Sequence, residues 1–211
     1  IDKLYWRGRI LNMTDGYNWR STDYPPGITN LNIKPDDNIL EYKIKYEQDF
    51  DQDLILLDTP ISVNSLSGRI YHIKSVNMYK SYFKQKKNYL SVKSSLGVEL
   101  EQELTKQSRN FYLQLPNTEN DKLKKFITDI KAENVDTILQ NFKLKILKDQ
   151  FSYTLAPGLM STMDQFLINK KGYCTHYSSL LAISLRYLNI PARIITGFQG
   201  GKYNEIGSYY E

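Results

Sequence analysis

Cysteine is nearly missing from this chain: among 211 residues there is one, Cys174, with two histidines, His72 and His176. One cysteine excludes an intrachain disulfide, and one Cys with two His excludes a cysteine-based zinc site. The expected complement of metals and cofactors is none. No apolar run approaches the roughly 18 residues of a membrane span, and no positive-then-apolar leader pattern follows Ile1. Carboxylates are absent from Thr59 to Val98, where seven Lys and Arg stand, whereas Glu47–Asp58 holds five carboxylates and no base. Two complementary faces of one sheet account for that contrast, with a ligand patch as the other reading. The net charge of +5 is shared by both halves of the chain, so no basic face marks a nucleic-acid partner. The spacing Asp49-x-Asp51-x-Asp53 suggests calcium, but Leu54 stands where such a loop needs Gly and Pro60 where it needs a bidentate Glu.

The composition present is that of a globular protein, 41% hydrophobic and 24% charged. The pattern predicts an α+β fold in two parts, a β-rich domain over 1–116 and a helix-bearing core over 117–211. In the first part Leu4–Leu11, Ile39–Tyr46, Ile70–Tyr79 and Asn88–Lys93 alternate with period two, as half-buried strands do. Asn12–Asn38, with Pro25, Pro26 and Pro35, reads as a long loop. After Pro116 the period lengthens, and Glu119–Lys131 and Val135–Lys148 read as amphipathic helices. A short extended piece at Phe151–Leu155, a short helix at Thr162–Ile168, a Cys-led helix to about Leu188 and a strand at Ala192–Gln199 complete the pattern. The chain stops in GSYYE (Gly207–Glu211), which reads as a starting strand in a piece of something longer.

Cys174 is where chemistry is written. A thiol in the first turn of a helix meets unpaired backbone N–H groups and the positive end of the helix dipole, and both favour the nucleophilic thiolate. Gly172 allows a tight turn just before it. Leu180, Leu181, Ile183, Leu185 and Leu188 should bury the rest of the helix and hold the sulfur still. The bland alternative is a cysteine that fills space.

The segment Lys171–Gly201, with Gly172-Tyr173-Cys174 and Ile190-Pro191-Ala192-Arg193, resembles the transglutaminase-like superfamily. Tyr153-Thr154-Leu155, Asp164-x-Phe166-Leu167, Cys174-x-His176-Tyr177 and Gly197-Phe198-Gln199-Gly200-Gly201-x-Tyr203-Asn204 are similar to the TgpA-type, membrane-anchored bacterial transglutaminases. Tyr5-Trp6-Arg7-Gly8 and Asp15-Gly16-x-x-Trp19 resemble the start of their extracytoplasmic region. One departure is Asn189, where that family more often has Gly.

The resemblance implies a papain-like core and a Cys-His-Asp triad in which Cys174 attacks a glutamine carboxamide, with a lysine amine or water resolving the thioester. It also implies a histidine base on the strand after Tyr209-Tyr210 and an aspartate on the next, both beyond this chain. The fragment itself is therefore expected to be inactive. Implied partners are a glutamine-containing protein or peptide, an amine acceptor, and a membrane reached through segments outside the chain. The implied location is extracytoplasmic. Alternatives are a cysteine amidohydrolase or protease of the same fold, and a non-catalytic cell-envelope binding module.

Supporting or substrate-cleft candidates are Gln165, Tyr173, His176, Tyr203 and Asn204. Gln165 is proposed by analogy with the oxyanion donor of papain-like enzymes. His176 lies two residues from Cys174, which turns it about 200° away on a helix, so a buried histidine bracing the helix start competes with a substrate contact. Tyr203 and Asn204 belong to a lip at Gly197–Gly207 or to a simple hairpin. Arg193 is expected to pair a carboxylate, Trp6 and Trp19 to be core or interface aromatics, and His72 to be structural.

Overall fold

A computed structural model describes residues 4–22, 38–46, 53–57, 59–65, 68–73, 76–82, 88–96, 104–116 and 121–210. Asp49 and Asp51, and much of the acidic stretch, lie outside them. The chain folds into two compact units, one of Ile1–Ile10, Tyr24–Ser108 and Ile195–Glu211, the other of Leu11–Asp23 and Arg109–Ile194. These units interleave along the sequence. The architecture is the α+β arrangement anticipated from the pattern, strand-rich before residue 100, with the helices and a few short strands after it.

In the strand-rich unit, Tyr5–Leu11 is the middle strand of a three-stranded sheet between Ile194–Gln199 and Leu56–Leu57. The backbones at Gly197 and Trp6 approach so closely that a Cβ on Gly197 would lie 2.0 Å from the Trp6 carbonyl oxygen. A second sheet has the order Ile39–Tyr46, Asn88–Ser95, Pro60–Ser65, antiparallel throughout, with Val92 opposite Tyr42 on one side and Val63 on the other. Leu54, Leu56, Tyr79, Leu90 and Val92 form its core, with Tyr42, Ile44 and Tyr46 packed against them. Burial pushes the Tyr46 phenol up to about 12.

Ile70–Tyr79 is not the single strand that its alternation predicts. It folds as a hairpin of Arg69–Ile73 and Met78–Tyr82, with Ile73 opposite Met78. The Val76 N–H donates to the Ile73 carbonyl at 3.2 Å. Asn77 takes φ 50°, a left-handed conformation that asparagine tolerates better than most residues. From the acidic stretch, Asp53 pairs Arg9 at 3.1 Å and Lys80 at 3.5 Å, so one carboxylate does meet the basic segment.

The other unit is helical. Helix α1 (Lys106–Tyr112), unforeseen in the sequence, leads into it, followed by α2 (Asp121–Ile130), α3 (Val135–Lys148), α4 (Met163–Asn169) and α5 (Cys174–Tyr187). Helix α2 buries Leu123, Phe126, Ile127 and Ile130, the three-to-four spacing of one helical face. Helix α3 starts at Asn134, whose side chain accepts from the Thr137 N–H at 2.8 Å. These faces meet Met163, Phe166, Leu180 and Ile183 in one core. Phe166 is its centre, with no exposed surface and edge-on contacts to Phe151 and Tyr177.

Two short pairings complete this unit. Met13–Thr14 and Trp19–Arg20 form an antiparallel hairpin, and Ser152–Tyr153 lies parallel to Lys171–Gly172. Among the described residues, no helix is long and apolar enough to cross a membrane.

Candidate functional site

Cys174 is the first residue of α5 and its side chain is exposed. The turn that presents it is crowded behind and open in front. Lys171 and Gly172 are tied to the core by the Ser152–Tyr153 strand, with the Thr154 N–H donating to the Gly172 carbonyl at 2.8 Å. Gly172 is buried because Phe166 and His176 occupy the space a side chain would need. Tyr173 is the extended residue that precedes the helix, and no acidic residue falls in the first turn. The dipole end around Cys174 therefore keeps its positive character.

His176 closes the turn from behind. Its residue is only 5% exposed. The backbone forms a reciprocal loop, in which the His176 N–H donates to the Tyr173 carbonyl at 2.9 Å and the Tyr173 N–H donates to His176 Nδ1 at 3.2 Å. A nitrogen that accepts carries no proton, so the ring is neutral with its hydrogen on Nε2. That hydrogen is donated to the Tyr17 hydroxyl at 3.1 Å. Burial holds the imidazole below its ordinary value. Both ring nitrogens are thus engaged, one by backbone and one by a phenol.

Gln165 stands on the exposed side of α4. Its Oε1 accepts from the Ser161 N–H at 2.7 Å, while its backbone N–H donates to Thr162 Oγ1 at 3.3 Å. This side chain and Thr162 together cap the start of α4. Tyr203 and Asn204 belong to the strand-rich unit, in a hairpin with Tyr209–Tyr210. The Asn204 side chain accepts from the Gly207 N–H at 3.0 Å and closes that turn.

Among the described residues Arg193 meets a tyrosine and not the carboxylate expected of it. Its Nη1 donates to the Tyr112 hydroxyl at 3.4 Å and its guanidinium lies 5.7 Å from that ring. Arg186 instead fastens helix to strand. It is 2% exposed and donates to the carbonyls of Ala192 (2.6 Å), Gln114 (2.6 Å) and Asn12 (2.7 Å). Trp19 covers it at 4.7 Å, and burial lowers the guanidinium to about 10. Trp6 packs edge-on against Tyr42 at 5.4 Å. His72 stacks on Tyr79 at 4.2 Å and donates to Asn77 Oδ1 at 2.9 Å. Among the described residues, no cluster of three or more His, Cys, Asp or Glu is arranged to hold a metal.

Tyr17 and Arg186 are the residues that sequence reasoning misses. Tyr17 lies inside the Asp15-Gly16-x-x-Trp19 motif, which carries only a resemblance, and Arg186 looks like one more charge on a helix.

Residues 122–209 match the family described as the transglutaminase-like superfamily. The chain is 25% identical over 217 residues to the protein-glutamine gamma-glutamyltransferase of Pseudomonas aeruginosa, an alignment covering 99% of this chain and 31% of that protein. It is 30% identical over 108 residues to the uncharacterized protein YebA of Bacillus subtilis, covering 46% of this chain and 14% of that one. The chain thus spans less than a third of the length of either relative. Its fold matches two crystal structures of the periplasmic domain of TgpA from Pseudomonas aeruginosa, one of them bound to ethylmercury. Both give a TM-score of 0.84, at 22% and 23% identity, over 99% of this chain and 73% and 75% of those.

Proposed function

We propose, from a transglutaminase-like core over residues 122–209 and homology to a protein-glutamine gamma-glutamyltransferase, that Cys174 is the nucleophile of such a transferase. The observation that carries this reading is an exposed thiol in the first turn of a helix whose other side is locked into the core. The thiolate sulfur attacks the side-chain carboxamide carbon of a glutamine in a protein or peptide. The backbone N–H of Cys174 is the nearest candidate to steady the oxyanion. The C–N bond then breaks, nitrogen takes up a proton and leaves as ammonia, and the acyl group stays on sulfur as a thioester. A primary amine such as a lysine side chain attacks that carbonyl and gives up a proton. A new C–N bond replaces C–S, and the thiolate is restored. No cofactor enters the balance.

The proton transfers need a base. The resemblance assigns it to a histidine, with an aspartate behind it, on strands after Tyr209-Tyr210. The two histidines of this chain are otherwise engaged, His176 with Tyr173 and Tyr17, and His72 with Asn77. The 211-residue chain alone therefore has a thiol and no turnover. The match to a periplasmic domain supports a location outside the cytoplasmic membrane, with anchoring through segments outside this chain. The β-rich segment 1–116 accompanies the core 117–211 as an extracytoplasmic domain.

The experiment uses the protein as encoded in its gene, wild type against Cys174→Ala, with a glutamine peptide and a fluorescent primary amine. Ammonia release and amine incorporation are both expected, and both should vanish in the variant. Release without incorporation makes the protein an amidohydrolase. Neither signal in the wild type removes the enzyme reading and leaves the binding module.

A further inference from the structure

We propose that Tyr17 is a positioning residue for the first turn of α5, acting through His176 on the backbone that presents Cys174. Its meaning for catalysis rests on the nucleophile reading above, but the positioning itself does not.

The hairpin tip that carries Tyr17 is built to hold it. Asp15 Oδ1 accepts from the N–H groups of Tyr17 (3.0 Å) and Asn18 (2.7 Å), and its Oδ2 accepts from the Asn18 side chain at 3.0 Å. The Asn18 side-chain bond is the main cause that holds the Asp15 carboxyl below the usual range. Thr14 Oγ1 donates to the Asn18 carbonyl at 2.9 Å and accepts from the Gly16 N–H at 3.0 Å. Gly16 takes φ 103°, a value few other residues adopt. The root of the hairpin is held as firmly. The Gln114 side chain accepts from the Thr14 N–H at 3.1 Å and donates to its carbonyl at 2.9 Å, and Arg186 holds the Asn12 carbonyl.

The far side of the contact is equally constrained. With Nδ1 accepting from Tyr173, the proton on His176 must sit on Nε2 and must find an acceptor, because a buried donor left unpaired is costly. Tyr17 supplies that acceptor. Removing its oxygen leaves the Nε2–H unpaired and loosens the hold on the ring, and the ring is what receives the Tyr173 N–H immediately before Cys174. The chain Tyr17, His176, Tyr173 thus transmits the rigidity of the hairpin to the turn that bears the thiol.

The test compares the 211-residue chain with its Tyr17→Phe variant. Amide hydrogen exchange at 173–177 should quicken about fivefold in the variant while α2 and α3 are unchanged, the effect of losing one hydrogen bond from a local opening equilibrium. The slowly exchanging His176 Nε2–H, visible by proton–nitrogen correlation in the wild type, should disappear. Alkylation of Cys174 by iodoacetamide at pH 7 should slow several-fold. Unchanged exchange at 173–177 overturns the proposal whatever the thiol does. A wild-type spectrum with the His176 proton on Nδ1 overturns it without any variant. Quickened exchange in the variant, with a wild-type Cys174 that reacts no faster than a free thiol, upholds the positioning and overturns the nucleophile reading.

Discussion

A Cβ added at Gly172 would lie 2.9 Å from Cγ of His176 and 2.8 Å from Cε2 of Phe166. Both rings are buried and neither is the free end of a flexible side chain, so the clash must be met by moving the start of α5. Gly172→Ala should therefore cost about 1–3 kcal/mol, the range for overpacking a filled site. Urea unfolding measures it, and a variant as stable as the wild type would show that the turn has slack.

The neutral state of His176 links stability to pH. Burial lowers its folded-state value, so the unfolded chain binds this proton more readily than the native one. The contribution is whole above the ordinary value of about 6.5 and is lost as pH falls through the lower folded value. The urea midpoint should fall from pH 7 toward pH 5, and His176→Gln should flatten that part of the profile. A profile equally steep in the variant would assign the loss to other groups.

Arg186 is a buried cation held by carbonyl oxygens and an indole face. Lysine keeps the charge but cannot reach three acceptors at fixed angles. Arg186→Lys should destabilise by about 3 kcal/mol, since carbonyls and a charge are left poorly satisfied in the interior. A melting temperature within a degree or two of wild type would contradict this.

Thr162 and Gln165 share the cap of α4. Thr162→Ala should cost about 1 kcal/mol, and Gln165→Ala only about 0.5 kcal/mol, because water can take up the exposed Ser161 N–H. Because the two act on one helix end, the double variant should lose less than the sum. Full additivity would mean that the two side chains cap independently.

What the sequence made legible was local. Helix α3 follows from its three-to-four apolar period, and α5 from Gly-Tyr-Cys ahead of a run of leucines. The hairpin at Ile73 and Met78 was hidden because the alternation of Ile70–Tyr79 continues across the turn. At the candidate site, Cys174 and its turn could be read directly, since Gly172, Tyr173 and Cys174 are consecutive. Tyr17 could not, because it meets His176 from 159 residues away, and no local spacing encodes such a meeting. Arg186 was opaque for the same reason, as its acceptors come from three loops brought together by the fold.

The hydrogen bond from Arg186 to Asn12 also sets an order of events for the nascent chain. The Met13–Arg20 hairpin leaves the ribosome long before α5, and Asn12 and Arg186 are separated by 174 residues. Closing a loop of that length costs on the order of 4–5 kcal/mol of chain entropy, met only when the guanidinium finds its carbonyls. Until then Trp19 has no Arg186 to cover and Tyr17 no imidazole to receive. A core expressed from residue 109 onward would begin life in that unfinished condition, and supplying residues 11–23 as a separate peptide should restore its missing corner.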